Sequence, residues 1–214
     1  MNDVSMHVLK RGLRAIYAAE VLSDTEAGIE YGTPFHLMPA GEMTRNTDNE
    51  SSNVWLDNTV FATFGKEAAT DVQITGAALR PALIAHLTGK EIDEATGAII
   101  DAGEYSPKYF AVGGETDNTD GTAELFWFSK GTFLVPEQAD KTQDESTDYN
   151  GMTLNYSAVR TKALFARANG TKKTSKRVVI DTVTSRVKSG QEWTKQVVTP
   201  ANLAEIVEKI PTEE

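Results

Sequence analysis

Along this chain, apolar residues recur with a period of two far more often than with a helical period. Residues 70–77 show it best: Val72 and Ile74 share one face, and Asp71, Gln73 and Thr75 share the other. That alternation marks a half-buried strand. After the turn pair Asn150-Gly151, residues 152–159 place Met152, Leu154, Tyr156 and Ala158 on one face, and this strand is expected to run on towards 167. Further strands are predicted at 15–22, 29–35, 42–47, 54–56, 60–64, 177–182 and 192–198, with a polar loop over 48–53. Residues 105–136 read as a hairpin: 109–113 run in, 115–121 turn on Asp120-Gly121, and 123–129 run back. The returning strand is apolar on both faces, with Leu125 and Trp127 on one and Phe126 and Phe128 on the other. Such a strand is expected to be covered on both sides, each large side chain contributing about 1.5–3 kcal/mol.

Two helices are predicted. Over about 80–88, Pro81 suits the first turn, Leu83, Ile84 and Leu87 form a stripe, and Gly89 ends it. Thr199 and Pro200 open a second, over about 200–210, with Thr199 as N-cap and Leu203, Ile206, Val207 and Ile210 as its apolar stripe. Residues 91–102 suggest a small hairpin about Ala95-Thr96-Gly97. Many short strands with one or two helices predict a mainly β fold, a sandwich or barrel flanked by helix. The organisation expected is a β domain over 1–170 and a basic strand or arm with a helix over 171–214. The polar stretches 137–148 and 169–175 are read as loops or arms.

Composition narrows this picture. At 214 residues and 40% apolar, the chain suits one domain, or one domain with appendages, and a good share of loop. The absence of cysteine excludes disulfides and thiolate metal sites. No stretch reaches the roughly 18–20 apolar residues of a membrane span. Lys10, Arg11 and Arg14 before AIYAA look like the start of a signal peptide, but Glu20 and Asp24 cut the apolar run short, so use without export is expected. The net charge of −10 is uneven: residues 1–170 carry 25 acidic and 13 basic groups, whereas 171–195 carry 2 and 7. An acidic body argues against tight wrapping of nucleic acid, which requires neutralised phosphates, but not against conducting it.

Catalytic signatures do not emerge. His7, His36 and His86 lack ligand-like spacing. The DNTDG run, aligned as a calcium loop on Gly121, puts Thr116 at the first ligand position and Trp127 where a bidentate Glu belongs, so it reads as a turn. There is no GxxxxGK, GxSxG or HExxH, and no carboxylate pair stands out. No catalytic, metal or cofactor-binding residue is therefore assigned, and the protein is not expected to be an enzyme. Two readings fit the basic segment 171–195: a phosphate-binding arm with Trp193 stacking on a base, or a solvated strand whose Val178, Val179, Ile180 and Val183 pack on the body or a neighbour.

One resemblance bears on function. GLRAIYAA (12–19), YGTP (31–34), NVWLDN (53–58), SPKYFAVGGE (106–115), ELFWFSKGTFLVP (124–136) and the later Lys141-Thr142 occur in an order and spacing spanning roughly residues 10–165. In these pieces the chain resembles the major tail proteins, or tail tube proteins, of long-tailed phages with non-contractile tails, particularly those infecting Gram-positive bacteria. The resemblance implies a β-sandwich-like fold with a flanking helix. It implies six-fold rings stacked into a tube that conducts double-stranded DNA, a place in the virion tail after assembly in the host cytoplasm, and tape-measure and tail completion or tip proteins as partners. No cofactor and no membrane are implied. On this reading Glu42, Asp71, Gln73, Thr153 and Asn155 line the lumen, although ordinary outer-surface exposure fits them equally. Contacts between subunits or rings are expected at Asn46, Asp48, Asn49, Glu50 and Trp55, and along 137–148 at Glu137, Asp140, Asp144 and Glu145. Phe126, Trp127 and Phe128 are expected in the core or an interface, with one face of their strand under the helix 80–88 or a neighbouring subunit. The competing readings are a tail-tip or adhesin module binding a glycan or receptor through Trp55, Trp127 or Trp193, and the tube protein of a related injection or secretion machine.

Overall fold

The computed structural model describes residues 7–56, 58–101, 103, 106–136, 151–167 and 170–211, with backbone alone for 48–56 and 60–66. The fold is mainly β. In chain order come β1 (Lys10–Thr25), β2 (Gly28–Tyr31), β3 (Phe35–Met38), β4 (Ala40–Leu56), β5 (Thr59–Ala77), α1 (Pro81–Thr88), β6 (Glu91–Ile92), β7 (Ile99–Ile100), β8 (Tyr109–Asn118) and β9 (Ala123–Phe133). After the segment containing 137–150 follow β10 (Gly151–Ala158), β11 (Phe165–Ala166), β12 (Lys172–Lys173), β13 (Arg177–Asp181), β14 (Ser185–Val187), α2 (Leu203–Ile206) and β15 (Val207–Lys209). Nine strands make one antiparallel sheet in the order β2-β1-β8-β9-β10-β5-β4, with β3 added to β1 and β13 to β9. The sheet curls: β4 is three places from β9, yet Arg45 of β4 lies 3.0 Å from Glu124 of β9.

Strand β9 is covered twice. Phe126 and Phe128 enter the core enclosed by the curl, with Ile16, Val72, Ile74, Phe110, Leu154 and Tyr156 and with Ile84 and Leu87 of α1. Leu125 and Trp127 enter a second core with Val178, Ile180, Trp193, Val197, Val198 and Ile206. The cover over Trp127 is thus this chain's own C-terminal part. The Trp127 indole N–H donates to the Trp193 carbonyl at 3.1 Å, and the two rings meet edge to face. Strand β8 makes room by giving up side chains: a Cβ at Gly113 would lie 2.4 Å from the Trp127 ring, and one at Gly114 2.6 Å from that of Phe126. The hairpin turn is shorter than the expected 115–121, because β8 stays paired to Asp117↔Ala123; Gly121 turns at φ 84° and the Asp120 carboxylate accepts from the Thr122 N–H and hydroxyl.

Several predicted boundaries shift, each for a local reason. The expected loop over 48–53 is strand: β4 and β5 pair from Ala40↔Gly76 to Leu56↔Thr59, with register shifts after Ala40, Thr47 and Val54, and Asn58 turns at φ 60°. Polarity misled the expectation because apolar alternation reports burial, whereas backbone pairing with β5 is enough to make a strand. The strand expected to continue from 159 to 167 stops at Ala158. There the amides of Lys162 and Ala163 leave the ladder and donate to the Asp24 carboxylate at 2.9–3.0 Å. Residues 192–198 are not a strand, since the Trp193 carbonyl is spent on Trp127. The helix predicted over 200–210 is one turn, α2. Asn202 rather than Thr199 is its N-cap residue, and Asn202 Oδ1 accepts from the Thr199 N–H at 2.8 Å. β-branched Val207 then goes extended and pairs with Val187. Helix α1 forms as predicted, with Gly89 left-handed at its C-cap.

Asp24 is also the partner of Lys130, whose Nζ lies 2.7 Å away, and the two side chains are 5% and 9% exposed. Burial disfavours the Asp24 charge, but the Lys130 ammonium and the Lys162 and Ala163 amides outweigh it and hold the carboxyl below its usual 3.8. A depressed folded value means stability that is complete above 3.8 and lost as pH falls through the folded value. Asp24→Asn should therefore cost about 3–5 kcal/mol in urea unfolding at neutral pH, and the gap from the parent should narrow on acidification. Trp127→Ala should cost about 3–5 kcal/mol by the same measurement, because its cover is intramolecular.

Candidate functional site

Strands β4, β5 and β10 turn apolar residues inwards and a polar face outwards, and the registers set that face in rows. Glu42, Thr75 and Thr153 form one row, Thr44, Gln73 and Asn155 the next, and Asn46, Asp71 and Ser157 the third. The rows between them, Met43-Ile74-Leu154 and Arg45-Val72-Tyr156, point to the enclosed core. The hydroxyls of Thr75 and Thr153 lie 3.0 Å apart, and Asp71, Gln73, Asn155 and Ser157 border a shallow groove beside Leu134. The five residues singled out as lumen-facing, Glu42, Asp71, Gln73, Thr153 and Asn155, therefore share one continuous face. Asn46, expected at a subunit contact, belongs to the same face. Thr44 and Ser157 were not singled out, although a period of two from Glu42 and Thr153 would have found them.

Only Glu42 and Asp71 are charged among these nine residues, and none is a cation. The nearest basic residue on β4, Arg45, falls in an inward row. Its guanidinium sits 4.0 Å over the Phe126 ring and donates to Glu124, which also takes Lys10 Nζ at 2.9 Å. Burial raises the Glu124 carboxyl, but Lys10 and Arg45 more than reverse it and hold it below the ordinary range. The outer face thus has hydroxyls and amides that bond water, and two carboxylates that repel anions weakly. In water that repulsion is about 1 kcal/mol per pair at contact and is screened over about 8 Å.

The other predicted residues are distributed as follows. Asp48, Asn49, Glu50 and Trp55 lie on β4, in the half of the β4–β5 ribbon that β10 does not reach, and their side chains are outside the described residues. Glu137, Asp140, Asp144 and Glu145 lie wholly outside them. Phe126, Trp127 and Phe128 are each 1% exposed. Trp193 is 8% exposed and packed on Trp127, so neither ring is open to stack on a base or a sugar. In the basic segment, Val178 and Ile180 pack inwards while Val179 faces out. His86 lies 3.5 Å from Glu20, and His36 meets Tyr17 edge to face. No cluster of three or more His, Asp or Glu suited to a metal occurs among the described residues. The chain matches no protein-family model and no curated protein.

Because Glu42 and Asp71 are exposed and carry no packing, Glu42→Lys and Asp71→Lys should each change unfolding free energy by no more than about 0.5 kcal/mol. Thermal or urea denaturation of the purified variants checks this.

Proposed function

We propose that this chain is the subunit of a phage-type tail tube, a structural protein without catalytic role that polymerises as stacked, six-fold rings around a conduit for double-stranded DNA. The observation that carries the reading is the polar face of β4, β5 and β10, whose nine residues in the three described rows include no cation. A DNA conduit has to avoid both adhesion and strong repulsion, and a wall of Thr, Ser, Asn and Gln with sparse carboxylates meets both needs. The position of the face supports the same reading. Among the described residues no strand pairs with the outer edge of β4, so a neighbour's strand can extend the sheet around a ring and leave no edge exposed.

The long ribbon adds a second line of support. From Asn49↔Glu67 to Leu56↔Thr59, β4 and β5 pair with each other beyond the end of β10. A two-stranded ribbon is marginal in water by itself, and a neighbouring copy would cover it. Head-to-tail contacts of this kind generate rings, and repeated ring contacts generate a filament. Tape-measure and tail-tip proteins would then be the further partners, and the virion tail its location. No helix among the described residues is long and apolar enough to cross a membrane.

Negative-stain microscopy of the purified protein at rising concentration tests the reading. Rings or tubes of uniform width are expected; a chain that stays monomeric at high concentration and binds glycan would overturn it. In assembled tubes, Glu42→Lys with Asp71→Lys should leave the tube width unchanged while slowing DNA passage and retaining DNA in a salt-dependent way. Passage indistinguishable from the parent's would remove the lumen assignment.

A further inference from the structure

Where β9 changes partner from β13 to β10, a groove of about 280 Å³ opens, lined by Thr47, Glu67, Thr70, Arg167, Lys176 and Arg177 among others. Lys176 Nζ is held 2.9 Å from Glu67 and bonds the Ala68 carbonyl. Arg167 bonds the Thr174 carbonyl at 3.3 Å, and Arg177 lies on the rim over Phe128. Among the described residues Glu67 is the only carboxylate in the lining, and besides Lys176 it feels Arg160 and Arg177. Three cations thus line the groove with one acid in a chain whose net charge is −10.

Segment 137–148 has the opposite character, with five acidic groups and one basic. It attaches between Pro136 and Gly151, at the start of β10. The groove sits at the other end, where Ala158 pairs with Thr70. The seven steps between Gly151 and Ala158 put these ends about 23–24 Å apart. The midpoint of the segment is about seven residues from either anchor, a fully extended reach of about 23–25 Å. Within one chain only the apex could touch the groove; in a copy displaced along β10 the whole segment can lie in it.

Resting on the reading of the chain as a polymerising subunit, we propose that this basic groove receives the acidic segment 137–148 of a second copy, joining copies head to tail. Opposite charges at the two ends set the polarity of stacking and disfavour head-to-head contact, since like charges would then meet. The contact weakens as salt rises.

A charge swap tests it. One variant carries Asp144→Lys and Glu145→Lys; the other carries Arg167→Glu and Arg177→Glu, both at exposed positions. Circular dichroism confirms that each is folded, and sedimentation velocity with negative-stain microscopy reads assembly. Each variant alone should lose assembly at concentrations where the parent assembles, and an equimolar mixture should restore it. Variants that assemble alone like the parent, or a folded mixture that stays dissociated, would overturn the groove contact while leaving the tube reading intact. A parent that never self-associates would remove both. Salt-sensitive binding of duplex DNA that is lost in the Arg167→Glu, Arg177→Glu variant, with assembly unchanged, would assign the groove to phosphate and overturn the proposal.

Discussion

A strand with large aromatic residues on both faces has to be buried twice, and the layout of this protein follows from how β9 achieves it. The curled sheet and α1 enclose Phe126 and Phe128, while the chain beyond Arg177 returns to close over Leu125 and Trp127. Neither cover could be dispensed with, because each ring left in water would forfeit roughly 1.5–3 kcal/mol. The glycine pair on β8 and the Trp127–Trp193 hydrogen bond are the local adjustments that let these rings lie flat between neighbours.

With β9 satisfied by its own chain, the surfaces left for other molecules lie elsewhere. The polar face of β4, β5 and β10 owes its chemistry to the same alternation that fills the core. On β5 and β10 each outward Thr, Asn or Gln has an inward Ile, Leu or Tyr one residue away. Arg45 shows the point well. Placed in an inward row, it is neutralised by Glu124 and stacked on Phe126, so the outer rows stay free of positive charge.

Charge is distributed with similar economy. Asp24–Lys130 lies buried and ties β1 to β9 and to the loop after β10, whereas Arg167, Lys176 and Arg177 gather at one end of β10. The first group is structural and specific, since Asp24 takes three donors, the Lys130 ammonium and the Lys162 and Ala163 amides. The second lines an open groove, where Glu67 balances Lys176 while Arg167 and Arg177 are exposed.

By itself, the sequence determined the mainly β class, the helix α1 with its glycine stop, a hairpin within 105–136 and the double-faced β9, because each depends on local chemistry: proline and glycine positions, turn pairs and apolar alternation. It also determined which residues of β5 and β10 face away from the core. Tertiary structure alone decided that 48–53 is strand, since pairing with β5 does not require apolar side chains. Val207 left the predicted helix because β14 offered it a ladder. That Glu42, Asp71 and Asn155, scattered over more than a hundred residues, form one face depends on strand order and register, which no local pattern encodes. The cover over Trp127 was equally hidden: 192–198 read as a strand, and only the packed chain shows that Trp193 and Val198 close the second core.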